Sequence, residues 1–153
     1  MTLKPLKRHE ALKPLSREHH HGLLLAWKIR SGLSKNIALE RIKTYADWFY
    51  KNHLIPHFEL EETEIFTILA PNHDLVQKAL EDHKRIHHLF TKAADLESAL
   101  PAIEKAVNDH IRFEERILFP EIQNHATEAQ MAHIEKIHQP EDFKDNLDDE
   151  FWK

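Results

Sequence analysis

The chain of 153 residues has no cysteine, which excludes disulfides, thiolate metal sites, iron–sulfur clusters and a cysteine nucleophile. Any metal it holds is bound through nitrogen and oxygen. Only two glycines and seven prolines punctuate it, too few for an architecture of short strands and tight turns. The abundance of Leu, Glu, Lys, Ala and Ile favours long helices instead. No apolar run approaches the ~18 residues of a membrane span, and MTLKPLKRHEALKPLSREH lacks the apolar centre of a secretory signal. The expectation is a cytoplasmic protein with no membrane partner. Its 21 Lys and Arg are scattered among 26 Asp and Glu, with no dense basic stripe, which argues against nucleic acid as a partner.

What the chain has in quantity is histidine, 14 residues in all. Unperturbed histidines begin to charge near pH ~6.5, so a mildly titrating surface is the default explanation that local pattern must beat. The length suits one ordinary domain.

The periodicity predicts an all-α fold, an antiparallel four-helix bundle with a short additional C-terminal helix. Residues 1–15 read as an N-terminal extension, 16–139 as the bundle and 140–153 as an acidic, loose or peripheral tail whose Phe151 and Trp152 are exposed. Ser16 caps the first helix, which breaks at Ser31-Gly32. The second runs from about 36 to 69 and is kinked or divided at Pro56. The third, capped by Asn72 or Asp74, extends to Ala94; the fourth, capped by Ser98, reaches Phe119 before Pro120. Thr127 and Gln130 form the capping box of a fifth, ending near His138.

On these helices polar residues fall where apolar ones belong. His20 shares the face of Leu23, Leu24 and Trp27, although a small rotation on docking would bring His19 or His21 there instead. Leu54, His57, Glu61, Ile65 and Ile68 make one face; Val76, Leu80, His83, His87, Phe90 and Ala94 another; Ile103, Val107, His110, Glu114 and Ile117 a third. His88 falls outside its stripe. HFELEETEIF (57–66) and HIRFEERILF (110–119) echo one another, each with a histidine followed by two acids at the fourth and fifth positions. Histidine–glutamate spacing of four is common by chance in so rich a sequence, and burial carries more weight. An ionised carboxylate among apolar neighbours costs several kcal/mol unless a cation compensates it.

Five histidines and two glutamates at one level of four helices exceed what one tetrahedral ion uses, and two metals sharing carboxylates is the natural count. Such donors suit iron or manganese, with zinc and copper also open. Glu62 and Glu115 either fix ligand imidazoles by hydrogen bonds or are solvated. His53 reads as structural or supporting, and no function attaches to His9, His73, His125, His133 or His138.

Over about residues 16–120 the chain resembles the hemerythrin-like, or HHE cation-binding, family, four-helix bundles with a non-haem di-iron core. The resemblance rests on His20, on His57 and Glu61 within HFELEE, on His83 and His87 within DHKRIHHLF, and on His110 and Glu114. It implies two iron ions with an oxo or hydroxo bridge. Glu61 and Glu114 would bridge them, with His20 and His57 on one iron and His83, His87 and His110 on the other. One position would stay open to dioxygen, nitric oxide or peroxide. The oxygen-carrying hemerythrins place an aspartate five residues after the fourth-helix histidine; here Glu114 stands at four and Glu115 at five, with either open as the bridge. That departure points away from simple reversible oxygen carriage. Binding or sensing a small ligand is the first expectation. A di-iron enzyme or repair factor that reduces such molecules or donates iron is the second, and a metal-free helical interaction module the third. A ferritin-like site is disfavoured, because His21 of Glu18-x-x-His21 lies off the apolar stripe of the first helix and Glu135-x-x-His138 belongs to the short fifth helix outside the expected bundle.

Overall fold

A computed structural model describes residues 7–93, 95–140 and 142–153. These residues are mostly helical and include no strand. A short 3-10 turn, Glu10–Leu12, leads into α1, Lys13–Ser34. His9 starts it, its side chain accepting from the Ala11 N–H, and Pro14 sits in the first turn of α1, where the missing N–H costs nothing. The first helix thus begins before Ser16, and Ala11, Leu12 and Leu15 of the expected N-terminal extension are fully buried. Gly32 does not break α1. A Cβ there would lie 2.8 Å from Ile42 Cδ1 and from Phe151 Cε2, so its role is close packing. The chain turns instead at Asn36, in the left-handed region at φ 56°.

The second run spans 39–68 without dividing. It comprises α2 (Leu39–Phe49), a π turn (Tyr50–Leu54), α3 (Ile55–Leu60), a second π turn (Glu61–Ile65) and a 3-10 turn (Phe66–Ile68). Pro56 is absorbed because the turn before it is wide. The Ile55 N–H bonds the Tyr50 carbonyl five residues back, relieving the clash of a proline ring with the carbonyl four back. The same device operates before Pro120, where the Phe119 N–H bonds the Glu114 carbonyl. The fourth helix therefore continues past Phe119, from α5 (Leu96–Phe113) through the π turn Glu114–Leu118 into α6 (Phe119–His125). Its cap is Asp95, accepting from the Ser98 N–H at 2.8 Å. Between these runs lies α4 (Asp74–Thr91), capped by His73, and α7 (Glu128–Ile137) opens on the expected Thr127–Gln130 capping box.

Helix α1 lies along α5 and touches α2, while α4 also lies along α5. Among the described residues the core has two apolar clusters. One holds Leu25, Ile29, Leu54, Phe58, Ile86, Phe90, Val107 and Ile111. The other holds Leu15, Ile65, Phe66, Val76, Ala79, Leu118, Phe119 and Ile122. On each of the four long runs a few polar residues separate the two clusters. None of the helices of the described residues is long and apolar enough to cross a membrane.

The C-terminal segment is anchored at its end, although Leu147, Asp148 and Asp149 are exposed. Phe151 and Trp152 are 2% and 8% exposed and belong to the first cluster. Phe151 enters the space that Gly32 leaves. Lys28, buried on α1, pairs with Asp145 and lies 4.1 Å above the Trp152 ring, and the Tyr45 hydroxyl donates to Asp145 at 2.5 Å. Arg41 binds Asp149 through two bonds of 2.7 and 2.8 Å. Burial of aromatic surface offsets the ordering of this acidic stretch. Replacing Phe151 with Ala should destabilise the fold by about 3–5 kcal/mol, as read from urea unfolding; a surface tail would show almost no change.

Candidate metal centre

Between the two clusters six side chains meet: His19 of α1, His57 of α3, His83 of α4, His110 of α5, and Glu61 and Glu114 at the starts of two π turns. All are buried, the two glutamates at 0% exposure. Their ligand atoms form two groups, His19–His57–Glu61–Glu114 and Glu61–His83–His110–Glu114, each with all atoms within 4.8 Å of one another and each able to hold a metal ion.

The carboxylates are shared between the groups. Glu61 Oε2 lies 3.2 Å from His57 Nε2 and 3.7 Å from His19 Nε2, while its Oε1 lies 3.3 Å from His83 Nε2. Glu114 Oε1 stands 3.1 Å from both His19 Nε2 and His110 Nε2. The ring nitrogens also face one another, His19 Nε2 to His57 Nε2 at 3.0 Å and His83 Nε2 to His110 Nε2 at 3.1 Å. Two donors bound 2.0–2.1 Å from one metal lie about 2.8–3.4 Å apart, by simple geometry at right or tetrahedral angles.

Each inward Nε2 is fixed from behind. Glu18 accepts from His57 Nδ1 at 2.6 Å, Glu62 from His83 Nδ1 at 2.7 Å, Asp82 from His110 Nδ1 at 2.9 Å and Glu115 from His19 Nδ1 at 2.7 Å. A carboxylate only accepts, so each Nδ1 carries the hydrogen and each Nε2 presents its lone pair to the centre. Each acid is the sequence neighbour of a ligand (18 with 19, 62 with 61, 82 with 83, 115 with 114) but supports a histidine on another helix. Followed round, the four bonds close a ring: α1 to α3, the second run to α4, α4 to α5, and the π turn after α5 back to α1.

Without a cation the centre is poorly satisfied. Neither oxygen of Glu61 has a hydrogen-bond partner among the described residues, nor has Oε2 of Glu114. A buried, unpaired ionised oxygen is among the costliest groups in a fold. Two lone pairs about 3 Å apart are likewise stable only with a proton or a cation between them. The acidity of the groups reflects this crowding. Burial would lower the His57 and His110 rings, but the charges of Glu61 and Glu114 and the bonds to Glu18 and Asp82 hold each up at about 9. His19 and His83 are also raised against burial by their carboxylate partners. Burial likewise works against Glu61, yet His57, His19 and His83 hold it well below the ordinary carboxyl range. Glu18, which burial alone would raise, is held down at about 2 by bonds from His138 and His57. Since the Nε2 atoms face one another in pairs, each gap rather than each ring takes up a proton.

Of the residues expected from sequence, the structure brings His57, Glu61, His83, His110 and Glu114 together and leaves two outside. His20 is exposed, and His19 stands in its place. The buried face of α1 is Leu15, His19, Gly22, Ala26 and Ile29, whereas Leu24 and Trp27, which suggested the other face, are 38% and 44% exposed. Small residues marked that face. At Gly22 a Cβ would come within 2.6 Å of Ile111 Cδ1, so α1 approaches α5 along this stripe. His87 is also exposed, with the Tyr50 hydroxyl at its Nδ1. The buried stripe of α4 steps from Val76 to Ala79, His83, Ile86 and Phe90, so Ile86 takes the inward position expected of His87. Ile117 turns outward, 51% exposed, because the π turn after Glu114 passes the inward position to Leu118. Glu18 and Asp82 were missed, and their only signal is adjacency to His19 and His83. His138 donates to Glu18 at 2.7 Å, and His53 packs among the rings of Trp48, Phe49 and Phe143.

Comparison with family models, with curated proteins and with solved structures finds no match to this chain.

A metal must displace the proton from each Nε2 gap, so acid competes with it. The raised histidines keep those protons up to about pH 9. At pH 7, binding of divalent ions should release about one proton per ion, and apparent affinity should rise about tenfold per pH unit until it levels near pH 9. Indicator-dye titration in weak buffer measures the release; an affinity flat from pH 6 to 9 would contradict it.

Proposed function

We propose that this chain is a dinuclear non-haem iron protein, an antiparallel four-helix bundle of the hemerythrin-like kind, that binds or senses dioxygen, nitric oxide or peroxide. The carrying observation is the pair of buried groups, each with two imidazole nitrogens, that share Glu61 and Glu114. Helix direction is supported by cluster order. Along α1 and α4 the chain passes from the Leu15–Val76 cluster to the Leu25–Ile86 cluster, and along the second and fourth runs it passes back.

Each group offers four donors, two nitrogens and one oxygen from each glutamate. Four donors complete a tetrahedral zinc site, whereas iron or manganese, preferring six, keeps positions for an outside ligand. Iron is favoured over manganese by the resemblance of the HFELEE and HIRFEE segments to the HHE family. When bound, the metal pair supplies Lewis acidity and one-electron chemistry to a small ligand. The protein's own residues hold the imidazoles in one tautomer through the carboxylate ring, and Phe66, Phe119, Ile65 and Leu118 close the layer on one side.

Chain purified from iron-replete cells should carry about two irons and absorb in the visible; stoichiometric zinc in a colourless protein would overturn the iron reading. His19→Ala and Glu61→Ala should each lose the metal pair, and His20→Ala and His87→Ala should keep it, by metal analysis of the folded variants. Glu18→Gln, which leaves every ligand in place, should weaken metal binding about 10–100-fold.

A further inference from the structure

One of the four acids behind the ligand histidines is gripped from outside the four long runs. Glu18 takes one bond on each oxygen: His57 Nδ1 donates to Oε1 at 2.6 Å and His138 Nε2 to Oε2 at 2.7 Å. Two charge-assisted bonds, one per oxygen, fix the rotation of the carboxylate. Held by His57 alone, Glu18 would be free to turn toward water, since its side chain is 32% exposed.

Glu115 and Asp82 are served differently. Ser16 donates to Glu115 at 2.8 Å from α1 itself, and the Arg8 guanidinium approaches that carboxylate only to 3.6 Å. Lys78, one turn before Asp82 on α4, reaches it at 3.1 Å but is half exposed. His138 is instead the residue on which α7 ends, its N–H bonded to the Ile134 carbonyl at 2.9 Å. Met131 and Ile134 of α7 are buried in the second cluster, so the docking of α7 sets the place of the His138 ring.

His57 belongs to the His19–His57–Glu61–Glu114 group and not to the group of His83 and His110. We propose that His138 is a positioning residue that holds His57 through Glu18, so that α7 tunes the affinity of one metal position and leaves the other alone. The effect on affinity rests on the two-position reading; the hold on His57 does not.

The closing experiment compares the full chain with His138→Ala, His138→Gln and, as a control on α7, His133→Ala, whose ring is exposed. Zinc is the diamagnetic probe. Titration of the chelated chain should find two zinc ions, one of them bound about fivefold more weakly in His138→Ala, a smaller loss than removal of Glu18 itself brings. NMR of chain labelled with 15N-histidine, with zinc and after chelation, should show the His57 Nδ1–H exchanging with water about tenfold faster in that variant, and the other three ligand rings unchanged. Gln keeps an N–H donor at similar reach and should restore most of both, and His133→Ala should change neither. Unchanged His57 exchange in His138→Ala, equal weakening of both positions, the same effect from His133→Ala, or no recovery with Gln would each overturn the proposal. Fewer than two zinc ions on the unaltered chain would sink the two-position reading alone, because exchange in the chelated chain still decides the hold on His57.

Discussion

The interior of this protein is organised by one repeated interaction, a histidine Nδ1–H held by a carboxylate from a neighbouring helix. It occurs four times and closes on itself. Each bond settles which nitrogen faces inward, and together they place four lone pairs and two carboxylates in a layer without enough protons to satisfy them. The supporting acids are partly exposed and the histidines buried, so each buried ring is tied to a carboxylate at the rim by one short contact. Such a layer weakens the fold as hydrocarbon packing, and a cation held there would offset that cost, since buried carboxylates without a partner are left uncompensated.

The two halves of the site have the same grammar. Glu18-His19 on α1 and His57, Glu61, Glu62 on the second run correspond to Asp82-His83 on α4 and His110, Glu114, Glu115 on the fourth. The first acid of each half supports the histidine of its own half, and the last acid crosses to the other. Phe66 and Phe119, equivalent in the aligned segments, lie 5.5 Å from the His83 ring and 5.2 Å from the His19 ring. Positions 58 and 111 break the likeness, an aromatic Phe58 stacked 3.8 Å from His83 against an aliphatic Ile111 that abuts Gly22.

Helix number, the capping box at Thr127 and the polar layer were legible in the sequence because a period near 3.6 survives wherever a helix is amphipathic. Two histidines were misplaced for a physical reason. Periodicity reports where large apolar side chains recur, but α1 packs through Gly22, Ala26 and Gly32, and its larger Leu24 and Trp27 lie toward solvent. On α4 both step patterns from Val76 arrive at His83, where a step of three leads to Ile86 and a step of four to His87, and local sequence does not resolve the choice. The C-terminal segment was misread because its acids suggested solvation, while its anchoring depends on a gap at Gly32 and a buried Lys28 more than a hundred residues away. Glu18 and Asp82 were illegible for the same reason, since their partners lie on other helices.

The π turns at Glu61 and Glu114 carry one residue more than α-helical winding needs. Each residue of a regular helix advances about 100° around the axis. Loss of a single residue from 114–118 would tighten that turn and rotate everything beyond it by that angle, swinging Leu118 and Phe119 away from the layer they cover while His110 stayed in place. The surplus residue thus acts as a phase adjuster, letting one rod present its carboxylate and the hydrophobic stopper above it to the same side.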